Sequence, residues 1–100
     1  MSLTKKIINT CIWKLNDEYQ VKAYTALWCA PCRKVKPDMI NYMQDYQIRE
    51  ISFIYSDDPD KPEFVPFFKI INTKQNETID SIQSSDINEI KDMISKYINL

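Results

Sequence analysis

None of the 100 residues is glycine. Glycine enters left-handed backbone conformations at no steric cost, and hairpins and helix ends commonly rely on it. Each reversal of this chain must therefore use Asn, Asp or another residue that tolerates such angles. Asn16–Asp17 reads as a helix stop and Asn72–Asn76 as a turn of that kind. Histidine is also absent, which excludes triads with a His base and any His-ligated metal.

The remaining composition is that of an ordinary globular protein, 44% hydrophobic and 27% charged. A chain of this length buries roughly 60–70% of its unfolded surface, enough for one core, so a single domain over residues 1–100 is expected. Its 13 Lys+Arg and 14 Asp+Glu nearly cancel, and no basic tract marks a nucleic-acid partner. The longest uncharged stretch runs only from Ala23 to Cys32. That is too short for a membrane span, which needs about 18 apolar residues. Lys5, Lys6 and Lys14 interrupt the N-terminal segment and no apolar h-region follows, so no secretory signal and a cytoplasmic, reducing location are expected.

Leu3, Ile7, Ile8, Cys11, Ile12 and Leu15 recur in steps of three and four, which predicts a helix over Ser2–Leu15. A short Lys6–Asn9 strand is the competing assignment, because β-branched Ile7 and Ile8 suit either. Gln20–Trp28 is nearly uncharged and rich in β-branched and aromatic residues, and reads as a buried strand. Pro31 suits a first helical turn, and a helix is predicted from there to about Tyr46. Val35, Met39, Ile40, Met43 and Tyr42 or Tyr46 form its apolar face, with a kink at Pro37. Ile51–Ser56 is a second strand, and Asp57–Glu63 a solvated acidic loop. Val65–Ile71 and Glu77–Ile82 make an antiparallel hairpin around Asn72–Asn76. Ser85 opens a last helix, with Asp86 and Glu89 at capping-box spacing and Ile87, Ile90, Ile94, Tyr97 and Ile98 on one face. The result is an α/β domain around a central mixed sheet of about four strands flanked by helices. Its β–α–β unit runs two strands parallel, and the hairpin joins the same sheet.

Cys29 and Cys32 form a C-x-x-C where the buried strand meets the helix. Unpaired N–H groups and the positive end of the dipole at a helix N-terminus favour a thiolate over a thiol. Residues i and i+3 of a helix also bring two sulfurs within bridging reach. Cys29 is expected to be the exposed thiol, with Cys32 behind it in the first turn. Pro31 between them limits the backbone, and Arg33, Lys34 and Lys36 add positive potential. Three chemistries fit such a pair. It can be a redox dithiol, half of a zinc site completed by Cys11 or by a second chain, or two packed and inert thiols. The strand–turn–helix context favours redox chemistry. Cys11 reads as core packing, with a regulatory or intermolecular disulfide as the alternative.

The segment Tyr24–Pro37, YTALWCAPCRKVKP, resembles the active-site segment of the thioredoxin family. Trp28 directly precedes the first cysteine, a small residue and a proline separate the pair, a basic residue follows, and Pro37 lies five residues beyond Cys32. Val65–Pro66 resembles the family's cis-proline element. The likeness extends from about Tyr19 to the C-terminus.

This resemblance implies a thioredoxin-like fold. Asp57 and Pro66 are only nine positions apart, so the helix that precedes the cis-proline strand in the family is expected to be missing. It further implies a thiol–disulfide oxidoreductase, most simply a reductant of the thioredoxin kind. Cys29 would attack a protein disulfide and Cys32 would resolve the mixed disulfide. Trp28, Ala30 and Pro31 would border the substrate groove, with Val65 and a cis Pro66 as its far wall. A trans edge-strand Pro66 and a core position for Trp28 are the alternatives. The implied partners are extended protein segments carrying a disulfide and an external thioredoxin reductase or other dithiol/disulfide partner. Neither a cofactor nor a metal is implied, and the chain would act as a monomer. Three positions depart from the family pattern. Ala23 stands at its buried Asp, Phe53 near its companion Lys, and Ala30 at its glycine. They keep open a thioredoxin-like binding module with little turnover, or a disulfide oxidase or isomerase.

Overall fold

A computed structural model describes residues 7–55 and 62–98. The described chain begins with a hairpin where the sequence predicts a helix. β1 (Ile7–Lys14) pairs antiparallel with β2 (Tyr19–Thr25), setting Asn9 opposite Thr25 and Trp13 opposite Val21. The helix expected over Ser2–Leu15 is thus corrected to a strand from Ile7 onward, and residues 1–6 lie outside the described residues. The physical reason is burial on both faces of the strand. Cys11, Trp13 and Leu15 point to one side and Ile8, Thr10 and Ile12 to the other, and all six are buried. Two interleaved period-two sets leave apolar residues three and four apart, which imitates a helical stripe. Asn16 makes the turn. Its side-chain oxygen accepts the N–H groups of Glu18 and Tyr19, each at 2.9 Å, and the Leu15 N–H donates to the Tyr19 carbonyl at 3.0 Å.

β3 (Ile48–Tyr55), β4 (Phe67–Asn72) and β5 (Glu77–Gln83) complete a five-stranded sheet in the order β3-β1-β2-β4-β5. Every neighbouring pair is antiparallel, so the expected mixed sheet of about four strands is corrected in both number and direction. β2 and β3 do run parallel to each other, but β1 lies between them and pairs with both. The loop expected over Asp57–Glu63 falls mostly outside the described residues. Residues 62–66 contain no helix.

α1 (Ala30–Tyr42) and α2 (Ile87–Ile98) lie on one face of the sheet. One core joins Cys11, Trp13 and Leu15 of the first hairpin, Val21 and Ala23 of β2, and Phe68 and Ile70 of β4 to the helices. α1 contributes Val35 and Met39, Met43 follows at its C-cap, and α2 supplies Ile90, Met93 and Ile94. Steps of four keep Val35, Met39 and Met43 on one line, and Ile40, about a third of a turn away, is exposed rather than core as expected. The end of α2 is tied to the sheet. Tyr97 donates its hydroxyl to Asp80 of β5 at 2.8 Å, packs edge-on against Tyr19 at 5.3 Å, and receives the Asn16 amide at its carbonyl at 3.0 Å. Asp86 caps α2 by accepting the Asn88 N–H at 2.9 Å.

The β4–β5 hairpin turns on two asparagines, as the lack of glycine requires. Asn72 accepts the N–H groups of Lys74 and Gln75, and Asn76 takes the left-handed conformation at φ 52°. On the face opposite α1 and α2, Tyr24 of β2 is buried with the Lys22 and Lys69 ammonium groups 5.2 and 5.3 Å from its ring centre. Among the described residues no helix is long and apolar enough to cross a membrane.

Candidate active site

β2 delivers the chain to the site at Thr25, and a turn then carries it into α1. The Cys29 N–H closes that turn on the Ala26 carbonyl at 3.2 Å. Arg33 reaches back from the first turn of α1, its guanidinium donating to the Leu27 carbonyl at 2.6 Å. Cys29 is thereby placed at the N-cap of α1 in extended conformation, with φ −100° and ψ 110°. Pro31 follows in the first turn, where its missing N–H costs no helical bond. Thiol sulfur takes the place that a Ser or Asp oxygen usually fills: Cys29 Sγ accepts the Cys32 N–H at 3.3 Å. The first turn carries no acidic residue, so the dipole and this N–H both favour negative charge on Cys29.

Cys29 and Cys32 form a disulfide, with their Cα atoms 5.2 Å apart. The Val65–Pro66 peptide bond is cis, as expected for Pro66. The Val65 carbonyl oxygen lies 3.6 Å from Cys29 Sγ, and Val65 packs against Ala26, Cys29 and Cys32. Segments 36 residues apart thus meet at one sulfur. Trp28, Ala30 and Pro31 are exposed beside the pair, Val65 is half-buried and Pro66 is buried. Trp28 accordingly takes the rim rather than the core. The expected exposure of Cys29 is corrected. Only 7% of it is exposed, against 1% of Cys32, because Val65 covers it from the β4 side.

Two rim residues escape the sequence reading. Leu27 is 65% and Phe64 64% exposed, apolar residues that directly precede Trp28, itself 43% exposed, and Val65 in the two segments that meet at Cys29. Leu27 was absorbed into the run expected to continue β2 to Trp28, whereas β2 stops at Thr25. Phe64 directly precedes Val65–Pro66, and a large aromatic residue outside any element was the available signal.

Behind the disulfide, Asn9, Thr25, Ala26, Leu27, Cys32, Arg33 and Lys36 line a cleft with about 20 Å³ of room, the size of one water. Ala23 lies in the core opposite Cys11 and Phe68 and brings no polar atom. Phe53 sits opposite Asn9 on β3. Cys11 is buried in the same core, outside the disulfide. Among the described residues no three Cys, Asp or Glu side chains gather to hold a metal ion. The arrangement suits one chemistry well: exchange of a disulfide with an outside sulfur at Cys29. No family model, curated protein or solved structure matches the chain.

Proposed function

We propose that this chain is a dithiol–disulfide oxidoreductase of the thioredoxin type, with a trimmed thioredoxin-like fold in which β1 occupies the gap between β2 and β3. One observation carries the reading. Cys29 stands at a helix N-terminus, bonded to Cys32, receiving its N–H, and facing the Val65 carbonyl from a distant segment. A structural pair of inert thiols has no need of that helix end or of the apolar rim around it.

In the reduced form, Cys29 thiolate attacks one sulfur of a protein disulfide, forming a mixed disulfide and releasing the other sulfur as a thiolate that takes up a proton. Cys32 thiolate then attacks Cys29 Sγ. The Cys29–Cys32 bond forms, the bond to the substrate sulfur breaks, and that sulfur leaves as a thiol after protonation. Two electrons and two protons pass from the dithiol to the substrate disulfide. An external dithiol, such as that of a thioredoxin reductase, returns the pair to the reduced state. Trp28, Ala30, Pro31, Val65 and Pro66 border the groove, joined by Leu27 and Phe64. An extended substrate segment would lie along it and pair its backbone with Val65.

Trapping tests this directly. A Cys32→Ser chain should hold substrate proteins as mixed disulfides that dithiothreitol releases, and Cys29→Ser with Cys32→Ser should hold none. Equal capture by the double variant would overturn the reading in favour of a binding module.

A further inference from the structure

Resolution of a mixed disulfide needs Cys32 as a thiolate, yet Cys32 is 1% exposed and lies behind Cys29. Burial in apolar surroundings holds a thiol in its neutral form. Ala23, which stands where the thioredoxin-like pattern has its buried acid, has no group that could take the proton. Among the described residues the small cleft described above offers a route: its surface is largely apolar, and Asn9, Thr25, Arg33 and Lys36 bring the polar side chains. Thr25 of β2 and Asn9 of β1 stand opposite each other in the sheet, and both open onto it. A hydroxyl can pass a proton on because it both donates and accepts, and an amide oxygen accepts.

Among the described residues lining the cleft the charged groups are Arg33 and Lys36, both from α1, and neither β1 nor β2 adds a carboxylate or another cation. Arg33 is held by the Leu27 carbonyl at 2.6 Å. Lys36 is half-buried and lies four residues after Cys32, on the same side of the helix.

We infer that this cleft is the proton exit of the resolving cysteine and that Lys36 is its positioning charge, stabilising the Cys32 thiolate. The inference rests on the redox reading above and goes beyond it by assigning the residues that replace a buried acid. With Cys29 joined to a substrate sulfur, Cys32 gives its proton to a water in the cleft, which passes it through the Thr25 hydroxyl to solvent while the Asn9 amide oxygen accepts a hydrogen bond from that water. The thiolate left behind faces Lys36 until it attacks Cys29 Sγ. That attack forms the Cys29–Cys32 bond, breaks the bond to the substrate sulfur, and sends the substrate off as a thiolate that takes its proton from solvent.

Stopped-flow exchange of the reduced full chain with dithiodipyridine separates the two cysteines, because each exchange releases one coloured thiopyridone. The first phase reports Cys29 and the second Cys32. Measured from about pH 5 to pH 10, the second-phase midpoint of Lys36→Met should lie higher than that of the unaltered chain by about one unit, the size of shift that one nearby charge produces. Lys36→Arg should restore it, which a merely structural lysine would not require. Thr25→Val should slow the second phase several-fold at all pH values, with folding checked by circular dichroism. Coincident second-phase profiles for Lys36→Met and the unaltered chain would overturn the assignment of Lys36 while leaving the redox reading in place. Release of a single thiopyridone by the unaltered chain at every pH would overturn both.

Discussion

Tyr24 buries its hydroxyl without a hydrogen-bond partner among the described residues, as does Thr10 directly opposite it on β1. Such a group has lost its water and gained nothing in exchange, at a cost of about 1–3 kcal/mol. Tyr24→Phe removes that group and keeps the ring between Lys22 and Lys69. Urea unfolding should therefore find the variant as stable as the parent or more stable, by up to about 1 kcal/mol, and a clear loss would show that the hydroxyl is satisfied. Tyr97 gives a second prediction at this scale. Burial first, and then the bond to Asp80, push its phenol up from 10.0 to about 12. Below pH 10 both folded and unfolded chains keep the proton, and the full contribution to stability is present. As pH rises from 10 toward 12 the unfolded phenol loses its proton first, so stability falls across that window. Tyr97→Phe should fall less steeply there, and parallel curves for the two proteins would contradict the shift. Single residues were also where sequence was most informative. Cys29 and Cys32 belong to a short local pattern whose chemistry depends on spacing, and the cis Pro66 followed from the resemblance of Val65–Pro66 to a thioredoxin-family element. Leu27 and Phe64 were missed because apolar side chains carry no such pattern outside an element.

At the scale of elements, legibility followed the number of buried faces. β4 alternates half-buried and buried positions from Phe67 to Asn72, and α2 concentrates its apolar residues on one side, so both were read correctly. β1 is covered on both faces and read as a helix, because alternation disappears when both sets are apolar. Its place between β2 and β3 was equally hidden, since strand order is decided by long-range pairing rather than by local pattern. The β4–β5 turn, in contrast, followed from composition. Without glycine, a left-handed position had to fall to a residue such as Asn76. Asn76→Val should destabilise the chain by about 1–2 kcal/mol, because a β-branched side chain clashes at positive φ, whereas Asn76→Gly should be neutral or better. Thermal unfolding of the pair checks this, and equal stability of the two variants would contradict the turn as described.

For the molecule as a whole, the sheet serves to bring two distant segments to one sulfur. β2 ends where α1 begins, which sets Cys29 at the helix N-terminus, and the approach to β4 lays Val65 over it. Both helices occupy one face, where the main core holds α1 through Val35 and Met39, while the disulfide sits in a separate small cluster with Ala26 and Val65. The two-layer α/β arrangement was legible in outline from the alternation of strands and helices. The antiparallel five-stranded order was not, and the cleft behind Cys32 depends on it, because Asn9 reaches that cleft only from a β1 paired with β2.

The central claim is that Cys29 and Cys32 exchange between dithiol and disulfide. It is tested most directly by poising the chain in dithiothreitol and glutathione buffers, alkylating it, and weighing it intact. The expected result is one two-electron transition confined to this pair, with a midpoint near about −270 mV, the value of a thioredoxin-type reductant. A midpoint at about −180 to −120 mV would contradict the reductant direction and make the chain a donor or shuffler of disulfides. Failure of Cys29 and Cys32 to bridge at any poise would contradict the redox function itself.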